Sequence, residues 1–161
     1  MRKIYDVNDT TRIKGKFGTN VTALRESAAA GAVTIKVQDA TNLAASDILL
    51  INPGGVTEES VTISAVSGTT LTVGATHYVH EIYEVAFKLT DPTTITLKVK
   101  VPAGTITPYT YALSTVSKES TGIYYKDVEL TSSGVWFYRW IATGTVVAAE
   151  EASLRVRVSD F

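Results

Sequence analysis

A chain of 161 residues with a formal net charge of −1 and no cysteine excludes several classes of protein. Near-neutral charge leaves no electrostatic footprint for nucleic acid or an anionic membrane. No apolar run reaches the roughly 18 residues of a membrane helix, and the lack of thiols excludes disulfides and thiolate metal sites and suits a reducing cytoplasm.

The length permits one domain or two small ones, each with a core. Abundant threonine and valine, with one methionine and four prolines, favour strands over helices. The first residues, Met1-Arg2-Lys3-Ile4-Tyr5-Asp6, lack the apolar stretch of a secretory signal. Tyr5–Thr10 reads as an exposed lead-in. Thr11–Phe17 predicts a strand that buries Ile13 and Phe17, with a bend or bulge at Gly15. Gly18-Thr19-Asn20 is a turn signal. Thr22–Ala30 is the sole helical candidate; with Leu24 as its one large apolar residue it predicts a loop or a short turn. Val33, Ile35 and Val37 then alternate with polar residues. Gln38–Asp47 connects, with Leu43 tucked in. Ile48–Ile51 is a short apolar strand, and Asn52-Pro53-Gly54-Gly55 a turn. Glu59–Val66 alternates, and Ser67-Gly68-Thr69 turns tightly into Thr70–Val73. Glu81–Leu89 alternates again, with Tyr83, Val85, Phe87 and Leu89 on one side. Five short strands in about 60 residues predict a small β-barrel or roll.

From Asp91 onward the alternation is clearest. Asp91-Pro92 opens a strand in which Ile95, Leu97, Val99 and Val101 face one way and Lys98 and Lys100 the other. Tyr124–Leu130 turns Tyr124, Val128 and Leu130 inward. Trp136, Tyr138 and Trp140 share one face of Val135–Ile141; Val135, Phe137 and Ile141 share the other, so both faces are expected to be covered. Ser153–Val158 is expected to bury Leu154, Val156 and Val158. Such strands predict an antiparallel β-sandwich.

Few residues carry chemistry. His77, His80 and Glu84 could bind zinc if they converged. On a loop running into a strand, however, His77 and His80 face opposite sides, and a polar loop is the preferred reading. The acid pairs Glu58-Glu59 and Glu150-Glu151 diverge from their chain neighbours and flank no cleft, unlike glycosidase carboxylates. Trp136, Tyr138 and Trp140 could form a platform for sugars or bases, but an apolar opposite face favours core. Gly54, Gly55 and Gly144 are turn glycines without phosphate-loop spacing. Asn8 and Asn20 match the short glycosylation pattern, with no secretion signal beside it. No catalytic, cofactor-binding or metal residue is assigned, no cofactor is expected, and the chain reads as a non-enzyme.

Asp91-Pro92-Thr93-Thr94, Ser120-Thr121-Gly122-Ile123-Tyr124 and Gly134-Val135-Trp136-Phe137-Tyr138-Arg139-Trp140, followed by Thr143-Gly144 and Ala148-Ala149-Glu150, together resemble small Ig-like virion proteins of tailed bacteriophages. The opening Tyr5–Ile13 is similar to their first segment. Between them, Gly31–Val37, Ile48–Gly55 and Glu58–Thr72 resemble another module of phage structural proteins. The resemblance implies an Ig-like sandwich of residues 1–20 plus 84–161, with residues 21–83 inserted as the small β-module; two domains in tandem is the alternative. It implies a virion component assembled in the host cytoplasm, placed on the head, neck or tail as a decoration, connector-associated or fibre-like protein. Its partners would be capsid, connector or tail subunits in symmetric copies, with no nucleic acid and no membrane. The other reading is a binding module for host-surface carbohydrate, which an exposed Trp136/Trp140 face would favour. Ig-like domains also place a tyrosine hydroxyl against backbone near a strand start, and Tyr124 takes that position here.

Overall fold

The structure, a computed structural model, describes residues 4–158. Its strands in chain order are β1 (Ile4–Asp6), β2 (Thr10–Lys16), β3 (Gly18–Ala23), β4 (Thr34–Lys36), β5 (Ile48–Ile51), β6 (Glu59–Ser67) and β7 (Thr70–Val73). They continue as β8 (Val85–Leu89), β9 (Thr94–Lys100), β10 (Ile106–Thr110), β11 (Ser117–Ser120), β12 (Ile123–Glu129), β13 (Gly134–Thr143) and β14 (Ala148–Arg157). No helix occurs among the described residues. The fold is all-β, as the dominance of period-two alternation dictates.

Contacts divide the chain into two units, residues 4–17 with 91–158 and residues 18–90. The divisions fall at 17/18 and 90/91 rather than at 20/21 and 83/84. The reason is that β3 pairs with β8 inside the second unit, Gly18 opposite Leu89 and Thr19 opposite Lys88. Gly18-Thr19-Asn20 is therefore strand, not turn; the left-handed Asn20 sits where the register shifts.

The first unit holds a five-stranded sheet in the order β1-β14-β13-β9-β10 and a three-stranded sheet β11-β12-β2. The expected Ig-like sandwich is not formed. β1 joins β14 in parallel, where an antiparallel sandwich was expected. The smaller sheet has only three strands, and every residue of β11 is exposed, so it offers no full second face. One core cluster nevertheless gathers Ile13 and Phe17 with Leu97, Tyr124, Trp136 and Trp140. Phe17 meets Tyr124 and Trp140 edge to face at 5.9 and 6.0 Å. Gly15 makes no bulge: it pairs in register with Tyr124, and a Cβ there would stand 2.8 Å from the Trp140 ring. The glycine is needed for close approach of that ring.

Asp91 ties this unit's loops. Its carboxylate accepts from the Gly122 amide at 2.8 Å, the Tyr124 hydroxyl at 2.9 Å and Lys118 Nζ at 2.6 Å. Tyr124 is buried, but its hydroxyl bonds this side chain rather than backbone. Burial works to raise the Asp91 pKa; the bonds from Gly122, Lys118 and Tyr124 outweigh it and hold the carboxyl below its usual range. Burial, then the bond to Asp91, pushes the Tyr124 hydroxyl up.

The second unit is one six-stranded sheet, β3-β8-β5-β6-β7-β4. It does not close into the expected barrel, because β3 and β4 are its outer strands and meet only at an isolated Leu24–Val37 bridge. Its core centres on Leu24, Val37, Leu49, Ile51, Ile63 and Leu71. Leu43 is buried in the connection as expected.

Candidate docking site

Between β7 and β8 runs a loop of residues 74–84, which exposes Tyr78, Val79, Ile82 and Tyr83. Its backbone is fastened along its length. The Thr76 amide donates to Ala32 O at 3.0 Å, and its hydroxyl to Ala29 O at 2.8 Å. His80 and Ala28 exchange two backbone bonds of 2.8 Å. The Tyr83 amide donates to Leu24 O, and the Leu24 amide to Glu84 O, each at 2.9 Å.

Beneath the loop lies a buried polar clamp. The His80 ring is 0% exposed, with Nε2 2.6 Å from Glu59 Oε1 and Nδ1 2.7 Å from Glu84 Oε2. Each ring nitrogen thus meets a carboxylate oxygen at hydrogen-bonding distance. Glu59 also accepts from the His77 amide at 2.8 Å. Burial would raise the Glu59 pKa; the bonds from the His77 amide and the two imidazoles outweigh it and lower it.

With the backbone fixed, Tyr78, Val79, Ile82 and Tyr83 project into water, Tyr83 at 67% exposure. Tyr83 has φ +70°, a left-handed conformation rare for an aromatic residue. Such strain persists where surrounding bonds over-determine it, and it clusters at functional sites. The expected strand from Glu81 therefore starts only at Val85, itself exposed, and Ala86 points inward instead.

The other candidates do not assemble chemistry. His77 is 84% exposed while His80 is sealed, and no group of three or more such side chains among the described residues is placed to hold a metal ion. Glu58 accepts from the Gly54 amide while Glu59 turns inward. Glu150 and Glu151 alternate along β14, and Glu151 pairs with Arg139 at 3.1 Å. Trp136 and Trp140 are core, Tyr138 half-buried. Gly54 and Gly144 occupy left-handed turns, as does Asn8, while Asn20 is left-handed within β3.

A second surface was not foreseen. Val135 and Phe137 were expected to be covered, yet Phe137 is 52% exposed on the outer face of the five-stranded sheet. There Lys98, Lys100, Ile106, Phe137, Arg139 and Ile141 line a shallow groove of about 670 Å³. Val158, expected inside, lies beyond β14 and is exposed. Sequence alternation assigned these residues to a face; it held no signal for whether another layer covers that face.

Comparison with family models, with curated proteins and with solved structures gives no match. No phage, virion or capsid signature accompanies this chain in any comparison, nor any for a decoration, neck, head-tail connector or tail protein; the Ig-like β-sandwich assignment is replaced by the three open sheets described above.

Proposed function

We propose that this chain is a non-enzymatic structural protein that docks on a larger assembly, the virion of a tailed phage being the assembly its sequence resembles. The observation that carries the reading is the loop of residues 74–84, whose fastened backbone holds four large apolar side chains in water above a buried clamp. A pre-ordered loop with exposed tyrosines loses little entropy on binding and supplies the residue type that dominates interface energetics. Within the one histidine–carboxylate cluster His80 is sealed from solvent, and both of its ring nitrogens are occupied by carboxylates. An exposed Trp136/Trp140 face would favour the carbohydrate reading, and both tryptophans are buried, which favours docking.

Mass spectrometry of gradient-purified particles tests this. The chain is expected in them at stoichiometric copy number, and a Val79→Ser/Tyr83→Ser variant is expected to stay free. A chain found only outside purified particles overturns the reading.

A further inference from the structure

We infer that the partner of the 74–84 loop is a second copy of this chain, whose groove on the outer face of the five-stranded sheet receives it. The inference rests on the docking reading above and names its partner. Three observations carry it.

The first is charge. The unit of residues 1–17 and 91–161 holds twelve Lys/Arg against nine Asp/Glu, a net of +3; the unit of residues 18–90 holds three against seven, a net of −4. The chain's −1 is the sum of two opposed units. Complementary fields of this kind steer encounter and select partners.

The second is local composition. The loop carries Glu81 and Glu84 and no lysine or arginine. The groove carries Lys98, Lys100 and Arg139 against one acid, Glu151, beside exposed Ile106 and Phe137. Arg139 is paired with Glu151, whereas Lys98 and Lys100 have no ion-pair partner among the described residues. Glu81, exposed between Val79 and Ile82, provides the missing anion, and Tyr78, Val79, Ile82 and Tyr83 provide the apolar complement.

The third concerns the sheet edge beside the groove. β10 is the edge strand, and Pro108 within it has no amide hydrogen to offer an added strand. Docking on the face is left open while strand addition is impeded.

The two surfaces are different, so a contact that uses each of them once per pair of copies is head to tail. Such contacts close into rings or run on as open chains, as the symmetric copies of an assembly require.

The absence of cysteine makes a direct test available. Phe137→Cys and Tyr83→Cys are made separately in the full chain; both positions are exposed, so folding is preserved, and amide spectra verify it. Mixed under mild oxidation, the two variants are expected to give the mixed disulfide several-fold above either same-site disulfide. Lys98→Glu/Lys100→Glu in the Phe137→Cys copy should lower that yield about tenfold at low salt, since exposed interfacial charges set association. Glu81→Lys in the Tyr83→Cys copy should restore it. A predominance of same-site pairs overturns the inference in favour of a face-to-face dimer. A chain that sediments as a monomer at every concentration and gives no mixed pair also overturns it. If that happens while Val79→Ser/Tyr83→Ser still frees the chain from particles, the docking reading stands with a different subunit as partner. If mixed pairs form but purified particles lack the chain, the inference stands and the virion assignment falls.

Discussion

Replacing His80 by alanine removes the clamp under the docking loop and tests whether it holds the loop in place. The imidazole is fully buried between carboxylates at 2.6 and 2.7 Å. Leaving a buried hydrogen-bonding group without its partner costs about 1–3 kcal/mol, more where that group is charged. Here Glu59 keeps the His77 amide at 2.8 Å, and the Glu84 side chain is 18% exposed, so some solvation remains. With two carboxylates losing their partner at once, the expected loss is about 3 kcal/mol, at the upper end of that range. That is a large share of the 5–15 kcal/mol typical of a domain. Amide hydrogen exchange on the full chain reads it by region: protection of residues 28–32 and 74–84 should fall, while β12 and β13 stay unchanged. His80→Gln, whose donors sit on one nitrogen where the imidazole presents two, should recover part of the loss. A loss below about 1 kcal/mol, within the spread of ordinary substitutions, would refute the clamp.

Other expectations follow from single contacts. Tyr124→Phe removes a hydrogen bond to a carboxylate and should lower stability of the first unit by about 1.5–3 kcal/mol in urea titration; an unchanged midpoint would contradict the Asp91 network. Gly15→Ala brings a Cβ to 2.8 Å from the Trp140 ring and should cost about 1–3 kcal/mol by overpacking, read from the same titration. Asp91 and Glu59 both have lowered folded pKa values, so their contributions are complete above the usual carboxylate range of about 4 and disappear as pH falls through the lower folded values. A denaturation midpoint that does not move between about pH 6 and about pH 2 would contradict this. A fragment of residues 88–161 lacks β2, and with it Ile13 and Phe17 from the core, and leaves the β12 edge open; it should aggregate or fail to give a dispersed amide spectrum.

The strands were largely legible because alternation is a local property. Ile95, Leu97 and Val99 are buried as period two requires, and so are Tyr124, Val128 and Leu130. What alternation lacks is pairing. Nothing local distinguishes a strand that adds in parallel, as β1 does beside β14, from one that adds antiparallel. Nothing local tells whether Phe137 is covered either. Its strand carries tryptophans on one face and Val135, Phe137 and Ile141 on the other, the pattern of a strand buried on both sides. The structure lays no third layer there.

The site was hidden for two further physical reasons. The apolar residues preceding β8 read as the start of a strand, but Tyr83 adopts a positive φ and donates its amide to Leu24 O, across a separation of 59 positions. That bond pulls the backbone out of extension before Val85 and leaves the preceding apolar side chains in solvent. His80, which sequence reading weighed as a metal ligand, is instead spent on two carboxylates, one of them 21 positions earlier. Net charge misleads in the same way. A total of −1 argues against strongly charged partners only if the charges are mixed, and here unit membership separates them, because residues 4–17 fold with residues 91–158 across the intervening sequence. The separation is a product of topology, and so is the charge-complementary surface that follows from it.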